Sequence, residues 1–288
     1  MTDTPTVALL GTGIMGAGMG HNMLGAGLPL RVWNRTADKA RGLADAGAVL
    51  AAEPAEAVAG ADVVVTMLGD GQHVRSVMER AAPRAGQVWA QMTTAGIDQG
   101  ALLDLADAYG VLFVDAPVVG TRQPAESGQL LVLAAGAPQA RGIVQPVFDA
   151  VGRETRWLGE DPAGLAASRL KLVVNSWVLA ITAATGETLA LARGMAVDPQ
   201  QFLDAVGGGP LDLPYLQAKA AAILAADWTP NFSVANAAKD ADLIVAAARG
   251  AGVTLDVAAA AADRYRRVAD AGHGDADMAA AYLASFSA

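Results

Sequence analysis

The sequence predicts an α/β protein in two parts: a doubly wound parallel sheet at the N-terminal end and an all-α C-terminal domain, joined by one long helix. Three observations carry this. Short apolar runs alternate with helical patterns over the first half. A glycine-rich turn separates the first such run from the first helix. Beyond Asp161 the strand-like runs stop and the chain reads as helix almost throughout.

Residues 6–10 form a buried-strand run, a glycine loop follows, and a helix extends to about residue 26. Residues 30–33 read as the second strand and 37–46 as a helix. Apolar runs at 62–68, 87–92 and 111–115, with helices between them, continue a parallel sheet covered on both faces. Runs at 130–135 and 154–158 read as later strands of different pairing direction. A long apolar helix spans 166–193. Asp198-Pro199 starts the next helix, with an aspartate N-cap and proline at the first helical position. Gly207-Gly208-Gly209-Pro210 ends it. Helices are expected over 214–225, 234–248, 254–269 and 275–285. The expected domains are 1–163, binding a nucleotide, and 164–288, helical.

Composition narrows the function classes. Of the 288 residues 53% are hydrophobic and 17% charged, enough for well-buried cores. A net charge of −9 repels phosphate backbones, so no nucleic-acid partner is expected. With no cysteine, disulfides, thiolate nucleophiles and cysteine-ligated metals are excluded. That fits a reducing compartment, and a cytoplasmic location is the expectation. His21, His73 and His273 are scattered without metal-site spacing, so no metal is expected. Met1-Thr2-Asp3-Thr4-Pro5 lacks a basic leader. The longest apolar stretch, 172–192, is interrupted by Asn175 and Glu187, so no membrane span is expected.

Gly11-Thr12-Gly13-Ile14-Met15-Gly16 lies between strand and helix, where the dinucleotide fingerprint of a Rossmann fold requires it. Gly11 makes the turn, Gly13 lets the backbone approach a pyrophosphate at the positive helix N-terminus, and Gly16 lets the helix pack on the strand. The end of the second strand selects the cofactor. An acidic residue there holds the ribose hydroxyl of NAD. This chain has Asn34-Arg35-Thr36 instead, and Arg35 suits a 2′-phosphate, so NADP is favoured over NAD. Thr36 also reads as the N-cap of the helix at Ala37.

These residues and three later motifs make the chain resemble the β-hydroxyacid dehydrogenase family over essentially its whole length. The glycine signature extends through Met19 and Asn22 to Gly27. Asp115-Ala116-Pro117-Val118-Val119-Gly120-Thr121 resembles the family's substrate loop, Asp-Ala-Pro-Val-Ser-Gly-Gly. The resemblance gives Val118, Val119, Gly120 and Thr121 to the substrate, but Val119 stands where serine is expected and Thr121 where the second glycine is expected. Arg122 is a candidate compensating charge for a substrate carboxylate. Lys171-Leu172-Val173-Val174-Asn175 resembles the catalytic-helix motif, with Lys171 as catalytic lysine and Asn175 as its asparagine. Phe232 followed by Lys239-Asp240 is similar to a C-terminal motif whose lysine lies near the cofactor, and Thr94 matches a threonine near the nicotinamide. Met67 and Leu68, ending the strand run at 62–68, are further candidate cofactor contacts. A homodimer, with its site between domains or subunits, is the family-implied assembly.

Lys171 and Asn175 are four apart and share a helix face. Among apolar neighbours a lysine loses hydration, which lowers its pKa toward neutrality and suits it to exchange a proton while nicotinamide carries the hydride. Spacing alone better describes a lysine whose stem covers apolar surface while its ammonium reaches water. The resemblance assigns it. Two other readings remain: an NADPH-dependent imine reductase of similar build, whose members usually place aspartate or tyrosine where Lys171 stands, and a non-catalytic NADP-binding protein.

Overall fold

A computed structural model describes residues 4–286. The chain divides into two compact units, the first running through Lys171 and the second beginning at Leu172. Strands β1 (Val7–Leu10), β2 (Leu30–Trp33), β3 (Val49–Leu50), β4 (Val63–Thr66), β5 (Val88–Gln91), β6 (Leu112–Asp115), β7 (Val118–Val119), β8 (Leu130–Gly136) and β9 (Gly152–Gly159) build one sheet in the first unit. Its order is β3-β2-β1-β4-β5-β6-β8-β7, with β9 on β8. Neighbours from β3 to β6 are parallel. β8 then runs antiparallel to β6 and β7, while β9 is parallel to β8.

The helices of this unit are α1 (Ile14–Gly25), α2 (Arg41–Asp45), α3 (Pro54–Val58), α4 (Gly71–Ala81), α5 (Gly100–Tyr109), α6 (Arg122–Glu126) and α7 (Pro138–Val151). They cover both faces because every central strand is apolar at both parities. Val7, Leu9, Val63 and Val65 face Met19 and Met23 of α1 and Phe148 of α7. Ala8, Leu10, Val64 and Trp89 face Val74 and Met78 of α4 and Leu102 of α5. Each fully buried aliphatic side chain contributes about 1.5–3 kcal/mol relative to exposure. Parallel strands bring their carboxyl ends to one edge, and the strand order reverses between β1 and β4.

Helix α8 (Ala166–Gly194) begins in the first unit and continues into the second. The second unit also holds α9 (Pro199–Val206), α10 (Pro214–Leu224), α11 (Val234–Gly250) and α12 (Asp256–Val268). Asp198 caps α9 as expected, accepting from Gln200 N at 2.9 Å. A buried pair, Lys219 Nζ to Asp277 Oδ1 at 2.6 Å, ties α10 to the C-terminal segment. The buried Tyr265 hydroxyl donates to Leu179 O at 3.0 Å, and desolvation pushes its pKa up. Burial likewise raises Tyr215 to about 12.

Several local expectations change. Residues 37–46 are a 3-10 turn (Ala37–Ala40) followed by the short α2, and the Thr36 hydroxyl makes no capping bond. The expected helix at 275–285 is a 3-10 segment, Met278–Ser285, capped by Asp277. The two-residue strands β3 and β7 are too short to show a period. Helical residues Pro162–Gly194 do contain a window of mean hydropathy 1.3, long and apolar enough to cross a membrane by length and composition. Asn175 and Glu187 interrupt it less than expected. Ser168, Lys171, Asn175, Thr182 and Thr185 on this helix are all buried within the fold, as in a core helix.

Candidate active site

The predicted cofactor residues of the first unit gather at the carboxyl edge of the sheet. Gly11 to Gly16 follow β1, Asn34 to Thr36 follow β2, Met67 and Leu68 follow β4, and Thr94 follows β5. Gly11 has φ +107°, and a Cβ there would meet Met67 O at 2.2 Å. Only glycine makes this turn against the neighbouring loop. A Cβ on Gly16 would meet Gly11 O at 2.1 Å, so the helix can pack this closely only without a side chain.

Gly13, by contrast, has nothing within 4 Å of where its Cβ would lie. It sits at the N-cap of α1, leaving the first-turn N–H groups without a capping side chain. The adjacent Thr12 hydroxyl is buried with no hydrogen-bond partner. Open space, a helix N-terminus and an orphaned donor together fit a nucleotide pyrophosphate. Asn34 ties the neighbouring loop to this one: its Oδ1 accepts from Thr12 N at 3.0 Å and its Nδ2 donates to Thr36 O at 2.8 Å. Arg35 is exposed and makes no ion pair or hydrogen bond among the described residues. Ile14 is exposed, and Met15, Met67, Leu68 and Thr94 are half-buried.

The substrate-loop candidates are built differently. Val118 and Val119 form β7 and pair with Val132 and Leu131 of β8. Val119 packs with Leu170 against Leu133, Ala135 and Ala167. The residue that replaces the expected serine therefore braces the start of α8. Gly120 has φ +140°, and a Cβ there would lie 2.6 Å from Leu130 Cδ2, which explains its retention. Thr121 takes the N-cap of α6 without a side-chain bond. Arg122 pairs with Glu126 at 2.7 Å, both about half exposed. The extended glycine signature holds this helix against α1: Asn22 Nδ2 donates to Ala125 O at 2.6 Å, and Gly18 leaves room for the backbone at Ala125 and Glu126.

Lys171 is buried, at 8% exposure, in the second turn of α8. One turn earlier, Asp115 holds the helix start: Ser168 N donates to its Oδ2 at 2.9 Å and Ser168 Oγ to its Oδ1 at 2.6 Å. Burial raises the Asp115 pKa, and the two Ser168 bonds oppose that. In the second unit, Asn175 Nδ2 donates to Asp240 Oδ2 at 2.7 Å, while Lys239 Nζ lies 2.8 Å from Asp240 Oδ1. The buried Asp240 thus orients both predicted residues. In sequence Asp240 stands out only as the neighbour of Lys239, and its link to Asn175, 65 positions away, has no local signature. Nothing in the sequence marks Gln99, and Ser168 is marked only as a polar residue one turn before the lysine in an apolar helix. Trp177, on the same helix, is 61% exposed.

Comparison with known proteins agrees along the whole chain. A family model for the NAD binding domain of 6-phosphogluconate dehydrogenase matches residues 6–159. A second, for the NAD-binding domain of NADP-dependent 3-hydroxyisobutyrate dehydrogenase, matches residues 166–284. Two glyoxylate/succinic semialdehyde reductases of Arabidopsis thaliana are 30% and 31% identical, over 96% and 95% of this chain and 78% and 96% of their own lengths. The 3-hydroxyisobutyrate dehydrogenase of Mycobacterium tuberculosis superposes with a TM-score of 0.84 at 28% identity, covering 97% of this chain and 98% of that one. A reductive aminase of Aspergillus terreus, solved with NADPH and ethyl levulinate, gives 0.62 at 26% identity over 96% and 98%.

Proposed function

This chain belongs to the β-hydroxyacid dehydrogenase family and is an NAD(P)-dependent oxidoreductase acting on CH–OH groups; from that premise we propose that it reduces a small aldehyde or keto acid with NADPH, Lys171 supplying the proton. The observation that carries the reading is the burial of Lys171 one turn beyond the Ser168 that Asp115 pins. Nicotinamide, when bound, supplies the hydride. The backbone from Gly11 to Gly16 and the Thr12 hydroxyl bind the pyrophosphate. Arg35 pairs with the 2′-phosphate, in a loop held by Asn34 and Thr36. Met67, Leu68 and Thr94 line the same edge, and Lys239 is assigned to the cofactor by resemblance.

Lys171 Nζ donates a proton to the carbonyl oxygen as it becomes a hydroxyl. In the reverse direction the amine takes that proton back. Asn175, its amide oriented by Asp240, keeps its carbonyl and a second amide hydrogen for a substrate oxygen. The backbone of Val118, Val119, Gly120 and Thr121 forms the acid-binding end. The names of the Arabidopsis relatives point to glyoxylate and succinic semialdehyde as first substrates to test. Imine reduction is the second reading, favoured by the missing serine hydroxyl at Val119.

A screen of NADPH consumption tests this. Succinic semialdehyde or glyoxylate is expected to turn over faster than plain aldehydes or a cyclic imine. Turnover confined to the imine would overturn the acid-reductase reading, and NADPH binding without any turnover would favour a non-catalytic role. A homodimer is part of the proposal. Val173, Trp177 and Leu191 on α8 are 65%, 61% and 61% exposed, and a second copy is the natural cover for such a stripe. Light scattering is expected to give twice the mass of one chain for wild type, and Trp177→Asp to lower it.

A further inference from the structure

Thr93, Gln91, Gln99, Ser168 and Asp115, each at most 3% exposed, form one hydrogen-bonded path within the first unit. At one end Leu68 N donates to Thr93 Oγ1 at 2.9 Å, and that hydroxyl donates to Thr66 O at 3.2 Å. Thr93 N donates to Gln91 Oε1 at 2.8 Å, and Gln91 Nε2 donates to Thr93 O at 2.9 Å. The path then crosses from β5 to the N-cap residue of α5: Gln91 Nε2 donates to Gln99 Oε1 at 3.2 Å. Gln99 Nε2 donates to Gly96 O at 2.7 Å and to Ser168 Oγ at 2.8 Å. Ser168 closes it with its two bonds to Asp115.

The polarity of this path is fixed. Ser168 has one hydroxyl hydrogen, and Asp115 takes it while also accepting the Ser168 N–H, so the carboxylate only accepts. The Ser168 oxygen must then accept from Gln99, whose amide nitrogen faces α8 and whose carbonyl faces Gln91. Both hydrogens of each glutamine amide are used. Amides of this kind do not shuttle protons, so the path transmits position. A fully satisfied buried network resists rearrangement, because breaking any link strands a buried polar group.

One end of the path is the loop at Met67 and Leu68. The other is the turn of α8 that leads into Lys171. Apolar contacts of Val119, Ala167 and Leu170 brace the same turn. We propose that Gln99, Ser168 and Asp115 are positioning residues that hold Lys171 in fixed register with the cofactor loops at 67–68 and 93–94. The proposal rests on the assignment of Lys171 as proton donor.

Gln99→Met keeps the volume but removes all three side-chain bonds of Gln99, and Ser168→Ala removes the hydroxyl link from the other side. Each is expected to lower kcat on succinic semialdehyde by about 10- to 100-fold, the scale of a misplacement near 1 Å. NADPH affinity should be unchanged, and the isotope effect from 4-deuterated NADPH should rise as the chemical step slows. The double variant should lose little more than either single one, because both cut the same path. In the ligand-free protein, amide hydrogen exchange at residues 167–172 should accelerate while the fold, followed by circular dichroism, is retained. Placed on a Lys171→Ala background, neither substitution should cost further turnover. Unaltered kcat and exchange in both folded variants would overturn the proposal, as would an undiminished further loss on the Lys171→Ala background. Wild-type turnover by Lys171→Ala alone would instead remove the functional reading beneath it, a result the network variants cannot produce.

Discussion

At the glycine loop polar groups are left open, whereas the segment at residues 118–122 is tied in by strand pairing and an ion pair. Thr12 keeps a buried hydroxyl without a partner, α1 begins without a capping side chain, and Arg35 stands exposed and unpaired among the described residues. In the other loop Val118 and Val119 are tied into β7, Val119 is packed under α8, and Arg122 is held by Glu126. An unsatisfied buried group is completed by solvent, an ion or a ligand, and at the glycine loop it lies beside an uncapped helix N-terminus. The first region is shaped for a phosphate-bearing ligand. The second serves the scaffold.

Substitutions can break or sharpen this contrast. The largest effect is expected from Gly13→Val, whose side chain enters space where nothing lies within 4 Å of the Cβ. Thermal unfolding should be nearly unchanged while NADPH affinity falls by on the order of 100-fold or more, since several charge-assisted bonds are lost. A large drop in melting temperature would mean that space is structural. Next comes Arg35→Asp, expected to weaken NADPH binding by about 1.5–3 kcal/mol with little change for NADH. Equal losses for both cofactors would contradict a 2′-phosphate role. Asn34→Ala should act smaller and more evenly, costing about 1 kcal/mol for both cofactors in fluorescence titrations, because its bonds hold the loop and do not select the phosphate. The smallest effect belongs to Arg122→Ala. An exposed pair of this kind is worth about 0–1 kcal/mol, so substrate KM should hardly move. A large rise in KM would show that Arg122 leaves Glu126 to bind the substrate carboxylate.

Legibility in the sequence followed the same division. The strand, glycine loop and helix from Val7 to Gly25 are contiguous, so period, turn chemistry and motif all point one way. The Asp198 cap is equally local. What stayed hidden was set by distant partners. Gln99 meets Ser168 across 69 positions and Asn175 meets Asp240 across 65, and no window of sequence holds both ends. In sequence the Val119 departure shows only as a missing serine, because its packing with Leu170 exists only once α8 docks. The short strand β3 is exposed at both residues, so neither apolar burial nor alternation announces it.

Single-turnover oxidation of bound NADPH by succinic semialdehyde, compared between wild type and Lys171→Ala at saturating cofactor, tests the central assignment most directly. A slowing of about 100- to 10,000-fold with unchanged NADPH affinity is predicted, the range attributed to a positioned general acid. Oxidation at close to the wild-type rate would take Lys171 out of the chemistry.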